Sequence, residues 1–230
     1  MSVDYLKLYK SVYKEEAIST SQITSDSRFC LYIGKEKDYK DVILYDKTKV
    51  INDINNVKNL VNIDSIYCFG EMETSKANPY NCWSVIRSAA INKFGPFLYD
   101  TMLSIAGKNG LIPDRGSVSK SARNIWEFYF YKRSSEFNLI KIDNFKKPET
   151  IDKKDDGFVH YPNKEYDNRD IIDYIYYYKD YNKHLKFMKV LKNNHSIFLK
   201  QLSSQGVSPL DFKISLFNVG ADFFSKYYNT

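Results

Sequence analysis

The chain has 230 residues, 43% of them hydrophobic and 16% aromatic, which suits one domain with a real core, or one domain with a small helical extension, and argues against disorder. Its 34 Lys+Arg against 28 Asp+Glu give a formal charge of +6, which permits an acidic partner such as nucleic acid, a nucleotide cofactor or a membrane surface but does not demand one. Cys30, Cys68 and Cys82 form no CxxC pair, so a disulfide scaffold and a cysteine zinc site are not expected; each sits beside apolar residues and reads as a buried free thiol.

In chain order, residues 1 to 18 carry Tyr5, Leu6, Leu8, Tyr9, Val12 and Tyr13 near helical spacing, with no apolar core of a signal peptide. No apolar run reaches the ~18 residues that cross a membrane, so a cytoplasmic protein is expected, or one packaged from a host cytoplasm into a virion. Phe29 to Ile33 and Asp41 to Tyr45 are short apolar runs separated by Gly34 and a charged turn, which predicts an antiparallel hairpin. Residues 46 to 64 are polar, and their Val50, Ile54, Val57, Leu60, Val61 pattern fits a short helix or an anchored loop. Ser65 to Met72 reads as a strand broken at Gly70.

The stretch from Cys82 to Arg133 organises the rest. It predicts a strand from Cys82 to Ala89, a turn at Phe94-Gly95-Pro96, a helix from Phe97 to Ala106 and a short apolar segment at Leu111 to Pro113. A second helix begins near Ser119, which stands as its N-cap, and carries Ala122, Ile125, Trp126 and Tyr129. Beyond it, Phe137 to Ile142 and Gly157 to Tyr161 read as strands. Ile171 to Phe187 reads as a helix apolar on more than one side, continued by Met188 to Leu202, and Ser208-Pro209-Leu210-Asp211 opens a last helix. Two regions follow: an α/β body over residues 1–162 and a helical region over 163–230.

The central residues resemble the GCN5-related N-acetyltransferase family in a divergent form. Ala90-Ile91-Asn92-Lys93-Phe94-Gly95-Pro96 occupies the place of that family's Q/R-x-x-G-x-G/A loop, with Gly95 at the later glycine and Lys93 at the earlier one, while Pro96 has no amide hydrogen to offer. Ser119, Ala122, Trp126 and Tyr129 give S-x-x-A-x-x-x-W-x-x-Y, similar to the family's N-x-x-A-x-x-x-Y, with Trp126 at the tyrosine that lies near the leaving thiol. The same stretch looks like an uncharacterised, mostly phage-associated group of acetyltransferase-like proteins. The resemblance implies an α/β fold of α+β layers: a mixed, mostly antiparallel sheet flanked by helices, here with a helical C-terminal extension. It implies acetyl-CoA or CoA as cofactor, with Lys93, Phe94, Gly95, Phe97, Leu98, Ser119 and Trp126 on the cofactor side. By fold analogy, Glu71 near the end of the third strand is a candidate base for the substrate amine.

Each candidate has a plainer reading. Gly95 with the first amides of the following helix, at Phe97 and Leu98, forms either a phosphate cradle or a tight turn. Lys93 and Arg87 meet a phosphate or water. Asp114 is a general base, a partner of Arg115, or a turn cap. Trp126 is a ligand platform or core, and Tyr129 a proton donor to a thiolate or a half-buried hydroxyl. His160, His184 and His195 have no metal-ligand spacing.

Two function classes stand open. One is a CoA-dependent N-acyltransferase that moves an acyl group to an amine. The other is a catalytically inactive acetyltransferase-like fold serving as a structural or interaction component, such as one of a phage particle, which the altered loop at Lys93 and Pro96 favours. Residues 171–228 are expected to form a protein interface or homo-oligomer, or else a self-contained helical subdomain. Lys183, Lys186, Lys189, Lys192 and Lys200 gather there and could meet the phosphates of nucleic acid, or simply be a solvated helix face.

Overall fold

The computed structural model describes residues 19–50, 60–74, 80–91, 93–113, 118–142, 170–180 and 182–228. The expected N-terminal helix over residues 1 to 18, the strand at Gly157 to Tyr161, and Asp114-Arg115 lie outside the described residues. A short helix α1 (Thr20–Ser25) opens on a capping box in which Ser19 and Gln22 satisfy each other's backbone amides. It is followed by strands β1 (Phe29–Ile33), β2 (Tyr39–Asp46), β3 (Ile66–Thr74) and β4 (Trp83–Ala90), each antiparallel to the one before. Helix α2 (Gly95–Ala106) leads to β5 (Leu111–Ile112), which lies parallel to β4. Helix α3 (Lys120–Lys132), β6 (Phe137–Lys141), β7 (Tyr174–Tyr178), α4 (Asn182–Ser204) and α5 (Pro209–Tyr228) complete the order.

Among the described residues one mixed sheet of seven strands forms, ordered β1-β2-β3-β4-β5-β7-β6 and antiparallel except between β4 and β5. Its first face carries Leu31, Val42, Leu44, Cys68, Met72 and Val85 against Leu98 and Met102 of α2 and Trp126 of α3. Its second face carries Ile43, Tyr45, Phe69 and Ala89 against Phe212, Leu216 and Phe223 of α5. The alternation along each strand that feeds two separate cores follows from the two-residue period of extended chain. All three cysteines are buried free thiols.

The run Ile171 to Phe187 is not one helix. Tyr174–Tyr178 is an internal strand between β5 and β6, and α4 starts only at Asn182. The reason is legible in hindsight: a run apolar on all sides also describes a strand covered on both faces, and aromatics favour strands. Tyr176 and Tyr178 join the first core, and Ile175 and Tyr177 pack on Cys82, Ile112 and Ile142. Gly70 does not break β3 either. The strand passes straight through it, and the missing side chain lets α2 approach: a Cβ there would lie 2.9 Å from Leu98 Cδ1 and 3.0 Å from Met102 Sδ.

Helix α4 lies along the outer edge of β1. Asn194 Nδ2 donates to the Phe29 carbonyl at 3.0 Å, satisfying an edge acceptor, and Tyr45 meets His195 Nδ1 at 2.7 Å. Burial drives the His195 imidazole down to about 4, so it sits neutral in this pair. Phe187, Met188 and Leu191 enter the first core, whereas Phe198 and Leu202 enter the second. The helix thereby closes both layers and shields the strand edge from pairing.

Helix α5 crosses the second face at Gly220, where a Cβ would lie 2.6 Å from Phe69 Cδ2 and 3.2 Å from Ile43 Cδ1. Glycine normally weakens a helix interior by about 1 kcal/mol relative to alanine. Here the sign should reverse: Gly220→Ala is expected to lower stability by about 1–3 kcal/mol, as overpacking does. Urea unfolding reads the sign, and a stabilised variant would show that α5 does not press on the sheet.

Candidate functional site

Among the described residues, β4 and β5 pair at Trp83 with Leu111 and Ser84 with Ile112, and no further β4–β5 pair occurs. A cleft of about 210 Å³ opens there, lined by Val85, Ile86, Arg87 and Ser88 of β4, Tyr99 of α2, Val118, Ser119, Ala122 and Trp126, and Phe224 of α5. The register explains part of the splay. Glu71 faces Arg87 but Met72 faces Val85, so Ile86 is an extra residue, a bulge that bends β4 beside the opening.

The floor of the cleft is held by paired polar groups. Ser88 Oγ and the Tyr99 hydroxyl are 2.8 Å apart. The Ser119 side chain caps α3, accepting from the Ala122 amide at 3.2 Å, as its position predicts. Trp126, only 1% exposed, forms part of the wall and of the core at once, with Tyr99 edge-on at 5.2 Å and Tyr176 tilted at 4.7 Å. Trp126 is a core residue that also lines the cleft.

The β4–α2 turn stands at the end toward which β4 runs. Lys93 has φ +79°, a left-handed backbone that glycine adopts freely and lysine rarely does. Phe94 is buried against Phe29 and Tyr67, and its amide donates to the Ile91 carbonyl. It is the N-cap of α2 without a side-chain cap bond. The Leu98 amide already bonds the Phe94 carbonyl, and Pro96 has no amide hydrogen. The first-turn donors left for an anion are therefore the amides of Gly95 and Phe97. Gly95 abuts α3, with Ile125 Cδ1 3.0 Å from where its Cβ would be, so this helix terminus meets the helix that forms the far wall.

Glu71 is fully buried and its oxygens are gripped by Arg87, with Nη2 donating to Oε1 at 2.6 Å and Nε to Oε2. The Arg87 side chain remains 39% exposed, lines the cleft, and has Phe224 at 5.6 Å beneath its guanidinium. Tyr129 turns elsewhere. It is fully buried, and its hydroxyl donates to Asp100 Oδ1 at 2.7 Å, joined there by Tyr178 at 2.5 Å and Arg133 Nη1 at 2.8 Å. Burial and the Asp100 charge hold that phenol well above its ordinary range. Ser119, Trp126 and the Glu71-held Arg87 thus meet at the cleft, whereas Tyr129 belongs to a separate network.

Sequence reading missed Asp41. On β2 it faces Glu71 directly across the strands, and Glu71 faces Arg87 in turn. Alternation from Ile43, a second-core residue, would have placed Asp41 and Tyr39 on that face. Asp41 Oδ1 is buried and has no hydrogen-bond partner among the described residues. Burial, then the neighbouring Glu71, pushes this carboxyl up to about 6 from an ordinary 3.8. Phe224, also missed, comes from a helix far along the chain, which no local motif reveals. No cluster of metal-binding residues occurs among the described residues.

No family model matches the chain, and neither a curated protein nor a solved structure does.

Because the folded chain binds a proton at Asp41 up to about pH 6 and the unfolded chain only up to 3.8, stability falls as pH rises through that window. Asp41→Asn removes the buried charge. The variant is expected to melt above the wild type at pH 8, with an advantage that shrinks through pH 6 and vanishes below about pH 4. Thermal melts across this range check it; a difference independent of pH would contradict the burial of an uncompensated carboxylate.

Proposed function

We propose that the chain is an acetyltransferase-like protein that binds CoA or acetyl-CoA and moves the acyl group to an amine. The observation that carries this reading is the opening between parallel strands β4 and β5, bordered by the helix whose N-terminus lacks a side-chain cap. The mixed, mostly antiparallel sheet and the left-handed backbone at Lys93, where the resembling family has glycine, support it. Ligand sites usually enclose ~300–1,000 Å³. A cleft of about 210 Å³ fits a narrow, extended arm better than a whole nucleotide, which would lie outside it.

The cofactor would supply the acyl group as a thioester. The chain's residues divide the remaining work. Gly95 and Phe97 amides, with Lys93 beside them, attract the phosphates. The edge of β4 beyond Ser84, which pairs with no strand among the described residues, offers backbone amides to the arm and to the acyl oxygen, in the way a fixed donor stabilises developing charge. Val85, Ile86, Val118, Ala122 and Trp126 give the cleft apolar walls that exclude water. With Glu71 bound to Arg87, the remaining candidate from the sequence for taking the amine's proton is Asp114, and Tyr129, the candidate donor to the leaving thiolate, is bound to Asp100.

A second reading is favoured by those same two engagements: a catalytically inactive scaffold or interaction component, such as one of a phage particle, that retains the cleft without an acid or base. Titration calorimetry with CoA and with acetyl-CoA separates the two. Micromolar to millimolar binding is expected, weakened about tenfold or more by Ala122→Phe, which fills the cleft from the α3 side while leaving its hydrogen bonds intact. No heat at millimolar CoA with folded protein would reject the acyltransferase reading. Binding without turnover toward any primary amine would favour the second.

A further inference from the structure

Helix α4 carries a feature that neither the cleft nor the core uses. Over Asn182–Ser204 it contains no Asp or Glu. Lys186, Lys189, Lys192 and Lys200 are all exposed on it, as are the polar Asn193, Ser196 and Gln201. At 100° per residue the four lysines fall within an arc of about 120°, and at 1.5 Å per residue they span about 21 Å. Opposite them, Phe187, Leu191, Phe198 and Leu202 are committed to the two cores, so the lysine stripe points away from the body. None of the four makes an ion pair among the described residues. Like charges three and four apart on one face weaken a helix, so nothing in the helix's own stability calls for the pattern.

We propose that this face of α4 is a docking surface for the phosphate backbone of a nucleic acid, bound without regard to sequence. The choice of partner follows from what surrounds the lysines. A membrane-surface helix needs its apolar side free to enter the bilayer, and that side of α4 is already buried in the protein. A protein interface is centred on aromatic or apolar anchors and is depleted in lysine. Of the exposed apolar residues of this helix, Val190 and Ile197 stand at one margin of the stripe, Leu185 lies within its arc at the N-terminal end, and none is aromatic. Lysine heads interleaved with amide and hydroxyl groups are the donors that phosphate and sugar oxygens take. The ~21 Å span covers about six phosphates of one duplex strand at ~3.4 Å each, enough for every lysine to find one. No groove-reading element accompanies the stripe, so base readout is not part of the proposal.

The test is fluorescence anisotropy of a labelled 20-base-pair duplex of mixed sequence, titrated with the full chain from 50 to 200 mM KCl. Four lysine–phosphate contacts predict that log K falls against log salt with a slope of about −3 to −4. Lys186, Lys189, Lys192 and Lys200 all changed to Gln should weaken binding about tenfold or more and flatten that slope. The same four changed to Arg should keep it. A control with Lys35, Lys37, Lys108 and Lys132 changed to Gln, exposed lysines elsewhere with the same loss of charge, should bind within about twofold of the wild type. Absence of binding at 50 mM KCl, equal losses in the two Gln sets, or capture by anionic phosphatidylserine vesicles in place of the duplex would overturn the proposal. CoA takes no part in this assay, so its outcome leaves the acyl-transfer reading where it stands.

Discussion

A sheet that opens between two of its strands needs something other than backbone pairing to hold its halves together, and in this protein that role falls to Asp100. Its carboxylate sits on α2, on the first face of the sheet, and receives Tyr129 and Arg133 from the α3 end and Tyr178 from β7. One charged acceptor therefore joins the helix after β4 to the strand beyond β5. Hydrogen bonds to a charged group are the stronger kind, and in a buried setting the loss of one partner costs several kcal/mol because the charge is left unpaired. Arg133 supplies the compensating charge and lies 4.8 Å over the Tyr129 ring. Around this hub Trp126 packs between Tyr99 and Tyr176, repeating the same α2–α3–β7 connection in apolar form.

With the halves tied on that side, the pairing of β4 with β5 can end after two residues without the sheet coming apart. The bulge at Ile86 and the approach of α2 over Gly70 set how far β4 bends away. Helices α4 and α5 then complete what the strands leave open. The first closes the edge of β1 and the second lies on the opposite face, bringing Phe224 under Arg87 at the cleft. The cleft is consequently assembled from β4, α2, α3 and α5, and its polar groups are pinned: Arg87 by Glu71, Ser88 by Tyr99, and Ser119 by its cap.

Where local chemistry determines structure, the sequence was readable. The β1–β2 hairpin, the Ser119 cap and the strand–turn–helix at Phe94-Gly95-Pro96 all rest on neighbouring residues. Failure came where tertiary packing decides. Tyr174 to Tyr178 carries the same apolar pattern for a buried strand as for a buried helix, and only its place between β5 and β6 resolves the choice. Glu71 is a candidate base by fold analogy alone. The residue that commits it, Arg87, is sixteen positions away and comes opposite only through strand register. Tyr129 likewise could not be assigned its partner without knowing where Asp100 falls on α2.

The proposed site rests on the edge of β4 beyond Ser84 being a binding surface. Hydrogen–deuterium exchange with peptide-level readout, with and without saturating CoA, tests that most directly. Slower exchange is expected in peptides covering 85–88 and 95–98, and at the start of α3, with the β1–β2 hairpin unchanged. No change at these peptides under conditions where CoA binds, or protection confined to α4 and α5, would contradict it.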